Sequence, residues 1–121
     1  MESKETVLIL TDNLFFVPRV QIAAEISGYD VIPSSTEPQF WNTYSINLVP
    51  IVVIDLEIQY ERWTTVVTEL LKLESIPYII AFGPHSSDSL LKTAREVGCH
   101  KVLTKSQFDK SLNQLFTTPS N

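Results

Sequence analysis

Short apolar runs and amphipathic stretches alternate along this chain with a regular beat. Val7-Leu8-Ile9-Leu10 favours a strand and stops at Thr11-Asp12-Asn13, residue types that cap helices well. A helical segment follows over about 15–27, with Val20, Ala23, Ala24 and Ile26 near one face and Pro18 in or near the first turn. Gly28 is placed to end that helix in the left-handed conformation. A second short strand covers 29–32. Residues 35–45 are weaker and predict a short helix, with Thr36 as its cap and Pro38 in its first turn.

Ile51-Val52-Val53-Ile54 is the clearest strand, apolar at every position as expected when both sheet faces are covered. It stops at Asp55. Over 61–73, Trp63, Val66, Val67, Leu70 and Leu71 recur at the spacing of one helix face. Pro77 opens a strand over 78–82, and Gly83-Pro84-His85 forms a loop. The next helix is capped by Ser87 or Asp88, turns Leu90, Leu91, Ala94 and Val97 inward, and closes at Gly98. A strand over 101–104 and a helix over 107–116 complete the chain, leaving a frayed tail at 117–121.

Strand and helix thus alternate five times. Parallel strands need crossovers, and helices supply them. Right-handed crossovers place helices on both faces of the sheet. The expected fold class is α/β: one doubly wound, five-stranded parallel sheet in a three-layer sandwich, filling a single domain over 1–121. In such a fold the site lies at the carboxyl ends of the central strands.

Composition narrows the chemistry. The 121 residues are 44% hydrophobic and 19% charged, enough to bury a real core. No apolar run approaches the ~20 residues of a membrane span, and the start of the chain lacks a secretory pattern, so a cytoplasmic protein without membrane contact is expected. Net charge is −5 and the nine Lys and Arg residues are scattered, which argues against nucleic-acid binding. The single cysteine, Cys99, excludes an internal disulfide and any Cys-based zinc site. Two histidines, His85 and His100, are too few for a His-rich metal cage. Carboxylates, hydroxyls and a lysine remain.

The strand ends carry them: Thr11-Asp12-Asn13, Asp55-Leu56-Glu57, Phe82-Gly83 and Thr104-Lys105-Ser106. With strand order 2-1-3-4-5, Asp12 and Asp55 come from neighbouring strands, where two carboxylates repel and a hard cation such as magnesium relieves the repulsion. Lys105 brings a positive charge from another strand end. A carboxylate nucleophile beside magnesium and a lysine is a site for accepting a phosphoryl group.

On these residues the chain resembles the receiver domains of bacterial two-component response regulators. V-L-I-L-T-D at 7–12, I-V-V-I-D-L at 51–56 and V-L-T-K-S at 102–106 look like the family's first, third and fifth strands with their functional ends. The resemblance covers about 7–116 and implies a flavodoxin-like, receiver-like sandwich. It makes Asp55 the phosphoacceptor, Asp12 a magnesium-binding acid, Lys105 the phosphate-contacting lysine and Glu57 a further metal ligand through its carbonyl. The chain also departs from the pattern. Thr11 stands at the first acid position, Phe82 replaces the switch hydroxyl, Val102 the switch aromatic, and Ser106 the usual proline. Such losses mark atypical or pseudo-receivers.

The resemblance therefore implies a stand-alone, non-enzymatic signalling module that acts by binding a protein. That partner is a histidine kinase, a phosphotransfer protein or a downstream effector. Phosphorylation of Asp55 with magnesium stays open, and the chain is expected to be a monomer or weak homodimer. The family's usual contact face falls near Leu91, Lys92, Arg95, Lys101, Gln107 and Lys110. Trp41 and Tyr44 are further contact candidates. A structural Asp55–Lys105 ion pair, with Asp12 and Asn13 serving only as helix caps, is the plain alternative at the site. A small metal-dependent phosphohydrolase or phosphotransferase using Asp12, Asp55 and Glu57 is the competing function, but no general base or arginine cluster accompanies those acids. A flavodoxin-like electron carrier fits less well, because Asn13-Leu14-Phe15-Phe16 lacks the hydroxyl- and glycine-rich character of a phosphate loop.

Overall fold

Strands and helices alternate strictly in the computed structural model, which describes residues 5–117. The elements are β1 (Glu5–Leu10), α1 (Val17–Ile26), β2 (Asp30–Ser34), α2 (Glu37–Ile46), β3 (Leu48–Asp55), α3 (Tyr60–Leu70), β4 (Tyr78–Gly83), α4 (Asp88–Val97), β5 (Lys101–Thr104) and α5 (Lys105–Leu115). All strand pairs are parallel, and the sheet order is β2-β1-β3-β4-β5, as expected. Apart from Thr117, the tail expected to fray lies outside the described residues.

The period of two along each central strand divides the core between two faces. Leu8, Leu10, Val52, Ile54, Ile79 and Ala81 point to one side, where Phe40, Trp63, Val66, Val67 and Leu70 cover them. Val7, Ile9, Ile51, Val53, Ile80 and Phe82 point to the other, under Val20, Ala24, Phe108 and Leu112. This double cover is why the 51–54 run is apolar throughout.

Several boundaries moved for identifiable reasons. β3 begins at Leu48, three residues early, and tolerates Pro50 because its register against β1 slips by one residue there. A bulge leaves Pro50 no ladder bond to donate. α5 begins at Lys105, ahead of the expected 107, because Thr104 and Gln107 form a reciprocal capping box. Thr36 caps α2 by accepting from the Gln39 N–H, as anticipated. α1 is shorter than expected at both ends, and Ile26, assigned to its inner face, is exposed.

Two glycines close helices with positive φ, Gly28 at +88° and Gly98 at +124°. A Cβ on Gly98 would sit 2.5 Å from Leu71 Cδ1, whereas one on Gly28 would meet open space. Gly98→Ala is therefore expected to cost about 2 kcal/mol or more and Gly28→Ala about 1 kcal/mol. Urea unfolding checks this; equal losses would show that backbone strain alone, without the Leu71 contact, sets the cost.

Candidate functional site

The strand ends of β1, β3 and β4 meet around Asp55, which is only 4% exposed. β3 delivers it there because every residue before it from Ile51 onward is buried. A carboxylate in that position must find hydrogen-bond partners. The buried Thr11 hydroxyl, just past β1, donates to Asp55 Oδ2 at 2.7 Å. The Glu57 N–H donates to Asp55 Oδ1 at 2.9 Å. The Thr11 oxygen in turn accepts from the Asn13 N–H at 2.9 Å, which fixes the turn leaving β1. Asn13 Oδ1 accepts from the Phe15 N–H, so Asn13 shapes the loop, and α1 starts later with no side-chain cap.

Burial pushes the Asp55 carboxyl above its ordinary range, and the Thr11 and Glu57 hydrogen bonds oppose that shift only in part. The charge of Glu57 raises it further, while Lys105 pulls the other way. Lys105 Nζ itself lies 2.5 Å from Glu57 Oε1. Glu57 is accordingly the main cause of the raised Lys105 pKa. Asp55, Glu57 and Lys105 therefore come together, but the direct salt bridge runs from Lys105 to Glu57 and not to Asp55.

Asp12 does not join them. Its carboxylate takes both arms of the Arg62 guanidinium, Oδ2 from Nη1 at 2.9 Å and Oδ1 from Nη2 at 3.1 Å. Arg62 also donates to the Ser35 carbonyl, so it ties α3 to the loops after β1 and β2. That fork holds the Asp12 carboxyl below its usual range. Sequence reasoning missed Arg62, which sits beside the core residue Trp63 on α3; only the packed topology brings it to Asp12.

Phe82, in register with Asp55 on β4, stacks on Phe108 with ring centroids 4.4 Å apart. Phe16 meets it edge-on at 5.0 Å. Phe82, which stands where the resemblance implies a switch hydroxyl, fills that space against two aromatic partners. A cleft of about 170 Å³ remains above Asp55, bordered by Phe16, Phe82, Phe108, Lys105, Arg19 and Asn13. Elsewhere, His85 is exposed, and burial pushes the Cys99 thiol up to about 12, which suits a packing role and no nucleophile.

As placed, the side chains do not form a magnesium donor set: Thr11 supplies a hydroxyl where a second acid is needed. Asp12 is engaged by Arg62. Among the described residues, no three His, Cys, Asp or Glu side chains are placed to hold a metal.

No family model matches the chain, and no curated protein matches it. Solved structures do. The signal receiver domain of a two-component response regulator from Bacteroides fragilis aligns at TM-score 0.75 and 16% identity over 91% of each chain. A CheY-like receiver domain protein from Methanospirillum hungatei gives 0.72 and 16% over 92% of this chain and 88% of its own. The chemotaxis response regulator CheY4 of Vibrio cholerae gives 0.72 and 12% over 92% and 93%. At such identities the likeness establishes architecture: the chain has the fold of response-regulator receiver domains. No described helix is long and apolar enough to cross a membrane.

The raised Asp55 pKa fixes the sign of a stability effect. A group whose folded pKa lies above its unfolded value contributes stability that is complete below the unfolded pKa and is lost as pH rises through the folded one. With a reference value of 3.8, the Asp55 charge weighs against folding at neutral pH. Asp55→Asn keeps an acceptor for Glu57 and a partner for Thr11. It is expected to raise the urea midpoint at pH 7, with the gain shrinking below pH 4. A lower midpoint at pH 7 would mean that the charge is a net stabiliser.

Proposed function

We propose that this chain is a receiver-like signalling module that acts by binding a protein partner, with Asp55 serving as a fixed internal carboxylate. The observation that carries this reading is the commitment of the Asp55 oxygens to Thr11 and Glu57 while Arg62 holds Asp12 aside. Phosphoryl acceptance on Asp55 would need the metal and the mobile hydroxyl that the resemblance implies; Asp12 is paired with Arg62, and Phe82 carries no hydroxyl. The phosphohydrolase alternative is less supported, because Asp12 is paired with Arg62 apart from Asp55 and Glu57.

The partner surface proposed is the edge formed by α4, β5 and α5. Residues 1–87 carry eleven acids and four bases, whereas residues 88–121 carry three acids and five bases. Lys92, Arg95, Lys101 and Lys110 are exposed on these elements, and Gln107 lies beside them. Leu91 is buried in the core, as the helix pattern expected, so the surface falls on its exposed neighbours. An acidic partner surface fits this edge, and steering by its field favours encounter.

Two measurements test the proposal. Adding magnesium with beryllium and fluoride is expected to leave the amide NMR spectrum around Asp55 unchanged; saturable shifts that vanish in Asp55→Asn would restore the phosphoacceptor. A partner captured from the native source is expected to bind Asp55→Asn normally and to lose about tenfold or more in affinity for the Lys92→Glu/Arg95→Glu double variant. Loss of binding in Asp55→Asn alone would count against a fixed role for that carboxylate.

A further inference from the structure

β5 is the shortest strand of the sheet, lies at its edge and pairs with β4 alone. The step into it from α4 leaves a gap in the ladder. The buried Ile79 turns both its backbone groups toward the start of this strand, and its carbonyl accepts from the His100 N–H at 2.9 Å. A regular parallel ladder would offer the Ile79 N–H the carbonyl two residues before His100. That residue is Gly98, whose φ of +124° belongs to the end of α4. The His100 side chain fills the gap instead: Nδ1 accepts from the Ile79 N–H at 2.9 Å. The ring lies along Tyr78, with centroids 5.5 Å apart and planes 17° from parallel.

We propose that His100 is a proton-sensitive clip between β4 and β5, closed by the neutral imidazole and opened by the imidazolium. A ring nitrogen that accepts a hydrogen bond carries no proton, so the closed clip holds its proton on Nε2. The imidazolium carries N–H groups at both nitrogens and offers Ile79 no acceptor. Turning the ring over about its Cβ–Cγ bond presents only a C–H there. Ile79 is buried, so its N–H reaches water in place of the ring only when the two strands part. Histidine is also the side chain whose charge changes in the mildly acidic range.

The groups around the clip do not hold the new charge in place. Tyr78 is the titratable side chain that meets the ring from β4. Lys101 follows it on β5, Arg95 and Glu96 close α4, and Lys72 and Glu74 follow α3 beyond Leu71, which adjoins Gly98. Across the hollow beside Tyr78 and Lys101 lie Tyr29, Gln114 and Leu115, none of them charged at neutral pH. None of the ion pairs among the described residues includes His100, so no carboxylate ties the imidazolium down. Opening the clip loosens the strand at the centre of the edge formed by α4, β5 and α5. The clip stands whether or not that edge binds a partner.

NMR of the full chain between about pH 8 and pH 5 tests the proposal. At the upper end the imidazole is expected in its Nε2–H form, with a scalar coupling across the hydrogen bond from the Ile79 nitrogen to His100 Nδ1. As the His100 ring takes up its proton, that coupling is expected to vanish. Protection of the Ile79 amide against exchange is expected to fall at least about tenfold, while the amides that join β1 to β3 keep theirs. His100→Ala is expected to show the low Ile79 protection at both ends of the range. An Nδ1–H form at the upper end would overturn the proposal. So would Ile79 protection that ignores the His100 titration, or that falls equally with pH in His100→Ala, which would place the cause in another group.

Discussion

A carboxylate at the end of a strand buried on both faces is the constraint around which this end of the molecule is arranged. Asp55 cannot be hydrated there, so the chain must supply what water would have given. It does so with the Thr11 hydroxyl from β1 and the Glu57 N–H from the turn that follows β3. Those two bonds fix the turns after both strands, and the Glu57 turn in turn presents a carboxylate to Lys105 at the start of α5. One buried charge thus connects the register of the central sheet to the placement of a surface helix.

The same end of the sheet keeps its second acid apart. Two carboxylates on neighbouring strands repel, and that repulsion is removed here by separation and pairing. Arg62 draws Asp12 outward and clamps it with a two-armed fork, while the Ser35 carbonyl holds the same guanidinium in place. The aromatic stack of Phe82 on Phe108 fills the space beside Asp55 with groups that have no donor to offer a bound anion.

The architecture was legible because its signals are local and repeated. All-apolar strands, helix periodicity and glycine stops fix alternation, and alternation leaves few topologies. The positions of Asp55 and Lys105 were legible for the same reason: one closes β3 and the other directly follows β5, strands whose places in the sheet follow from that order. Arg62 was not, because nothing along the sequence near Trp63 marks which loop a half-buried arginine will reach. The inner face of α1 was misread at Ile26 since a helix apolar on both sides has no periodic contrast to orient it. Lys105 entered the helix early because a capping box needs only Thr104 and Gln107, a signal present in the sequence but weaker than the apolar pattern beside it.

Protein groups settle both acids: Thr11 and Glu57 hold Asp55, and Arg62 holds Asp12. Following the ¹³C carboxyl shifts of Asp12 and Asp55 through a pH titration, with and without magnesium, tests it most directly. The Asp55 midpoint is expected above 3.8 and the Asp12 midpoint below it, with the same two curves in either buffer. Curves that move together when magnesium is added would mean that both carboxylates share one cation, and would contradict it.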